Sequence, residues 1–125
     1  MKSAFTLVEV MMVAAIIAII AAIAIPNILR VRVSANDAMA QSTLKAVAAA
    51  LENYMVVKGF YPDSTDDLIG DTPPYLNKDY FAGTHAGFTY VATLSQYSYS
   101  VEASPVIEGQ SGTTTLTMTT GGVVN

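Results

Sequence analysis

The chain has 125 residues, 52% hydrophobic and 13% charged, with a mean hydropathy of +0.42 and a net charge of −4. These values exclude an intrinsically disordered chain, which needs low hydrophobicity and high charge. The length leaves room for one small domain and not for a large enzyme. The densest basic cluster is Arg30-Val31-Arg32. Nucleic acid is therefore not expected as a primary ligand, because phosphate neutralisation needs a basic face. The chain has no cysteine and one histidine, His85. That excludes disulfides, thiolate zinc sites, cysteine nucleophiles and a His–His metal pair.

The hydrophobicity is unevenly placed. Phe5 to Leu29 holds one ionisable side chain, Glu9, while every aromatic except Phe5 lies beyond Leu29. At about 1.5 Å per residue the run reaches about 37 Å, enough to cross a hydrocarbon core of about 30 Å. Three readings of this run are open. As a secretory signal peptide, Val10 to Ala21 is the apolar region and Ala22-Ile23-Ala24 the cleavage site. As a plain membrane anchor it has the right length, but Lys2 on one flank and Arg30 with Arg32 on the other give no clear orientation. Neither reading uses Glu9, and a carboxylate inside a span is costly unless it has a function or a partner.

The third reading does use it. Ala4-Phe5-Thr6-Leu7-Val8-Glu9, the apolar run and Pro26 resemble the class III signal of type IV pilins and type II secretion pseudopilins. The resemblance implies a cut by a prepilin peptidase between Ala4 and Phe5, then N-methylation of Phe5. Residues 1–4 become a leader, short and with Lys2 as its cation, so that the natural start could lie upstream. Ala4 stands where the family usually has Gly. The resemblance also implies that Glu9 of one subunit meets the Phe5 amine of a neighbour as a filament grows. Each charge is costly alone in a low-dielectric core, and pairing offsets part of that cost and sets axial register.

Ala14, Ala18 and Ala22, at i, i+4 and i+8, form a small-residue stripe that lets apolar helices approach closely. Pro26 removes one internal hydrogen bond, so a kink or local melting is expected there. The helical pattern then continues to about Lys58. Ala40, Leu44, Val47, Leu51 and Tyr54 form its apolar stripe, with Ala48 and Met55 beside them. Gln41, Lys45, Glu52 and Asn53 take the other face, and Gly59 is the stop.

The remainder reads as a small head. Ser64 with Asp67 resembles a capping box for a short helix. The Gly59-Phe60-Tyr61-Pro62 and Pro73-Pro74-Tyr75-Leu76 segments resemble the loop of pseudopilins and small pilins. Three strands are expected: Phe88–Leu94, Tyr97–Ala103 with Ser95-Gln96 as the connection, and Thr113–Thr120, ended by Gly121-Gly122. The fold class is therefore α+β and pilin-like. One long helix over 5–58 packs its second half on a small antiparallel sheet of about three strands. The expected parts are a leader (1–4), a membrane and filament-core half-helix (5–29), and an amphipathic half-helix with the head (30–125).

No enzyme is expected. There is no G-x-S-x-G, P-loop or G-x-G-x-x-G, and His85 reads as a surface residue in a flexible loop. No cofactor is expected. Asp63, Asp66, Asp67 and Asp71 have oxygen-donor chemistry suited to calcium, but capping and a solvated surface also explain them.

The expected function is a structural subunit of a type IV pilus-like filament, leaning to a pseudopilin of type II secretion. The alternatives are a surface pilin (adhesion, motility or DNA uptake) and a signal-anchored or secreted binding domain that does not polymerise. The resemblance implies identical and minor subunits, a prepilin peptidase, an assembly ATPase and a platform protein as partners. Inner-membrane lipid surrounds the span before assembly, with the head outside the cytoplasm. The filament is then periplasmic or extracellular.

Overall fold

The computed structural model describes Met1 and residues 3–125; Lys2, the expected leader cation, lies outside the described residues. One helix, α1, runs over Leu7–Lys58, followed by a single turn, α2, over Asp67–Gly70. Four strands follow: β1 (Phe88–Ser95), β2 (Ser98–Pro105), β3 (Leu116–Thr119) and β4 (Val123–Val124). They form one antiparallel sheet in the order β1-β2-β3-β4. The architecture is the α+β, pilin-like arrangement of a long N-terminal helix and a small antiparallel sheet. The chain divides into two compact units, Met1–Arg32 and Val33–Asn125.

The first unit is the apolar part of α1. Its most hydrophobic 18-residue window has a mean hydropathy of 2.8, and none of it is buried. The helix is unbroken through Pro26, so the expected local melting does not occur. The proline lacks the N–H that the Ala22 carbonyl would accept from. In the same turn the Asn27 amide donates to the Ile23 carbonyl at 3.2 Å.

The second unit holds the core. The apolar stripe of α1 is buried as its spacing predicts: Ala40, Leu44, Val47, Ala48, Leu51 and Tyr54 all face inward. They pack against Phe88, Tyr90, Tyr99, Val101, Ala103 and Met118 on one face of the sheet. Alternation carries this face, because successive strand residues point to opposite sides. Gly59, at φ +85°, ends α1 and donates its N–H to the Met55 carbonyl at 2.8 Å. Only glycine takes that backbone conformation without cost. Tyr61 and Pro62, just beyond, are buried.

Several expectations change here. The hairpin turn is Gln96-Tyr97, flanked by the Ser95–Ser98 pair, so Tyr97 lies at the tip and is exposed instead of on the inner face. The third strand starts at Leu116, and Thr113 is instead tied to Asp37 of α1 through its backbone N–H (2.8 Å) and its hydroxyl. Gly121-Gly122 does not end the sheet. Both take positive φ and turn the chain back, so Val123–Val124 pairs with β3 as a fourth strand.

The Ser64–Asp67 capping box does not form. Asp66 is the N-cap of α2 and makes no side-chain cap bond, while Ser64 Oγ accepts from Asp66 N at 3.2 Å. That is a local hydroxyl turn. What the single helical turn accomplishes is burial of Leu68. His85 is not on a free loop. Ala86 and Gly87, at φ +50° and +76°, make a tight turn that pairs His85 with Phe88. Its ring lies edge-on to Tyr80 at 5.5 Å, and its Nε2 is buried without a hydrogen-bond partner.

Candidate processing and assembly site

Ser3 to Thr6 have no regular secondary structure and are exposed, so the bond between Ala4 and Phe5 lies outside the helix in exposed chain. Phe5 itself is 86% exposed. The helix starts at Leu7, not at Phe5, and the cause is Thr6. The backbone N–H of Thr6 donates to Glu9 Oε2 at 2.7 Å, and its hydroxyl donates to the same oxygen at 2.9 Å. In return the Glu9 N–H donates to Thr6 Oγ1 at 3.3 Å. The first helical backbone bond, Val10 N to Thr6 O, is 3.3 Å.

This is a complete capping box of the T-x-x-E type. Its signal is the local pattern Thr6-Leu7-Val8-Glu9, which gives Glu9 a role within its own turn that the sequence expectation did not include. The carboxylate therefore already has partners within its own chain. A negative charge in the first helical turn also suits the helix dipole.

Ala14, Ala18 and Ala22 share one helix face and are exposed, as are Ile16, Ile17, Ile19, Ile20 and Ile23. Arranged this way, the segment leaves its apolar side chains exposed on every face, the alanine stripe included. Pro26 is exposed inside α1.

A second carboxylate on α1, Glu52, has a different setting. Although expected on the solvent face, it is half-buried. It accepts from the Tyr61 hydroxyl at 3.1 and 3.2 Å, the Tyr99 hydroxyl at 3.0 Å and the Gly121 N–H at 3.2 Å. Tyr99 Oη in turn accepts from Gly122 N at 3.1 Å. One side chain thus ties the helix to the first loop, to β2 and to the β3–β4 turn. Burial, then the hydrogen bond to the Glu52 carboxylate, pushes the Tyr61 and Tyr99 phenols above their ordinary range. No sequence pattern announces this cluster, because its members lie far apart in the chain.

The four aspartates do not converge. Asp63, Asp66 and Asp67 are exposed, and Asp71 pairs with Lys58 at 3.4 Å. That pair stands at the rim of a cleft bounded by Asn53, Val57 and Pro73 to Tyr75. The carboxylate of Asp71 raises the Lys58 ammonium above its ordinary range. Among the described residues, no three His, Asp or Glu side chains are grouped to hold a metal ion.

The sequence comparisons agree with this geometry. Residues 1–25 match the prokaryotic N-terminal methylation motif. The chain is 33% identical over 108 residues to the type IV major pilin protein PilA of Myxococcus xanthus, covering 86% of this chain and 49% of the relative. It is 36% identical over 67 residues to the type II secretion system core protein G of Pseudomonas aeruginosa, covering 54% of this chain and 47% of the relative. It is 40% identical over 65 residues to the type IV wide pilus major component PilA4 of Thermus thermophilus, covering 52% and 50%. The chain spans about half the length of the curated relatives it matches. With a capped helix that opens at the matched motif and a small antiparallel sheet behind it, the chain is a homologue of type IV pilins and of a type II secretion pseudopilin.

Proposed function

We propose that this chain is a structural subunit of a type IV pilus-like filament. It waits in the inner membrane through Phe5–Leu29 and later polymerises through the same segment. The carrying observation is an apolar half-helix that buries none of its most hydrophobic window in its own fold. That surface needs lipid first and copies of itself later. The Ala4–Phe5 bond is the processing site, and the new Phe5 amine is the charge that Glu9 of a neighbouring subunit meets. Ala14, Ala18 and Ala22 let the helices approach, and Pro26 leaves one backbone hydrogen bond of the core helix unmade. Peptidase, assembly ATPase, platform protein and minor subunits are the proposed partners. The work of the chain is assembly, not catalysis.

Two finer readings divide on which machine it serves. The pseudopilin reading rests on the Tyr61-Pro62 to Tyr75 loop and on the similarity to core protein G. The surface-pilin reading is supported by the match to the Myxococcus pilin, which at 108 residues has to include most of the head. Mass spectrometry of the mature terminus tests the common reading: an N-methylated Phe5 is expected, and a terminus at Ile25 or an intact Met1 overturns it. Deleting the gene separates the finer readings. Loss of secreted proteins with intact surface fibres supports the pseudopilin, and the reverse supports the pilin.

A further inference from the structure

The geometry points to Thr6 as a positioning residue for N-terminal processing: its cap stops the helix short of the Ala4–Phe5 bond and leaves that bond in exposed, non-helical chain. The inference rests on the processing reading above and adds the residue that sets substrate conformation. Hydrolysis adds water across the Ala4–Phe5 amide, leaving a carboxylate on Ala4 and an amine on Phe5. A peptidase reaches a bond most readily in exposed backbone outside regular structure. Here the bond is two residues upstream of the first helical residue, Leu7, and both flanking residues are exposed.

The alternative start is written in the same few residues. Ser3 is a good N-cap type, and Ala4 is the best helix former. Were the Thr6 cap absent, the helix could slide three residues upstream to Ser3. The Ala4 carbonyl would then accept from the Val8 N–H, and the cut site would lie inside the first turn. The Thr6–Glu9 box prevents this with three hydrogen bonds of 2.7 to 3.3 Å, formed in both directions. The box also outlasts the cut. Phe5 remains attached to Thr6, so the Thr6 N–H is still an amide and still donates to Glu9. One device therefore positions the bond before cleavage and keeps the Glu9 carboxylate next to the new terminus afterwards.

The test uses the full chain in membranes with its prepilin peptidase, following cleavage by mass of the mature product. Thr6→Val keeps the shape and removes the hydroxyl; Thr6→Ser and Thr6→Asn restore a capping oxygen. From the usual strength of an N-cap, Thr6→Val is expected to be cut about five-fold more slowly. Both capping variants should return to near the wild-type rate. Hydrogen exchange should show new protection at Leu7 and Val8 in Thr6→Val alone, because their N–H groups would then donate to the Ser3 and Ala4 carbonyls. Equal cleavage of Thr6→Val overturns the inference and leaves the processing reading standing. Rescue by Ser but not Asn also overturns it, because the peptidase would then be reading the hydroxyl itself. A wild-type chain never cut at Ala4–Phe5 overturns both.

Discussion

The two halves of α1 have nearly opposite surroundings, though one hydrogen-bonded ladder runs through both. From Leu7 to Leu29 the large apolar side chains are exposed, with Ile16, Ile17, Ile19, Ile20 and Ile23 each more than half open. From Ala40 to Tyr54 the apolar stripe is buried against the sheet. The carboxylates follow suit. Among the described residues Glu9 bonds only within its own first turn, whereas Glu52 bonds to groups 9, 47 and 69 residues away. Hydrophobicity alone therefore does not place a residue in a core. The first half is more hydrophobic than the second and has no core within the chain, because no other element of its own unit packs on it. A helix that is apolar all round needs a bilayer or other helices; an amphipathic one needs a single packed face.

The contrast can be tested by damaging each half in turn. Phe88→Ala empties the centre of the head, where the ring is fully buried. It should cost about 4 kcal/mol in chemical unfolding of the detergent-solubilised chain. Gly112→Ala acts on the same ring from the other side, because an added Cβ would run into Phe88. Overpacking of this kind should cost about 3 kcal/mol, read from the same transition.

Glu52→Ala leaves the Tyr61 and Tyr99 hydroxyls and the Gly121 N–H without their acceptor. A loss of about 2 kcal/mol is expected. The matching Glu9→Ala should leave the unfolding midpoint of the head unchanged and abolish filament assembly. Intact filaments from that variant would falsify the proposed role of Glu9.

Alkaline pH acts on the head, on the Glu52 cluster and on the Tyr54 and Tyr90 phenols, which burial also raises. Folding raises the Tyr61 and Tyr99 phenols above their ordinary value of 10.0, so the neutral form is favoured in the fold. Their contribution is fully present below about pH 10 and is lost as pH rises through the folded values. A fall in stability above pH 10, tracked with phenolate absorbance, should be smaller in Tyr99→Phe. The smallest effect belongs to Ile17→Ala. Truncating this exposed side chain should move the unfolding transition of the head by less than about 0.5 kcal/mol.

Much of this was legible in the chain. The apolar run, the buried stripe from Ala40 to Tyr54, the stop at Gly59 and the alternation in β1 and β2 all follow from periodicities of 3.6 and 2. The Thr6–Glu9 box has a local T-x-x-E pattern, but pattern alone does not decide it, since S-x-x-D at Ser64–Asp67 forms no box. Less was legible where partners are distant. β3 begins at Leu116, and Thr113, expected in the strand, is instead bound to Asp37 on the helix. Tyr97 reads as an inward strand residue until the hairpin turn falls on it. The four aspartates are neighbours in sequence, yet Asp71 is drawn to Lys58 while the other three point to solvent.

The division has a physical reason. By itself the sequence determined the long helix, its apolar half and its stop, because these depend on neighbours within about four residues. It also determined the motif at Phe5 and Glu9, which carries the likeness to pilins and pseudopilins. Only the tertiary structure decided the fourth strand, the half-buried setting of His85 and the Glu52 cluster. Each of these is made of groups brought together by chain reversals, and no local spacing encodes which carboxylate will find which hydroxyl.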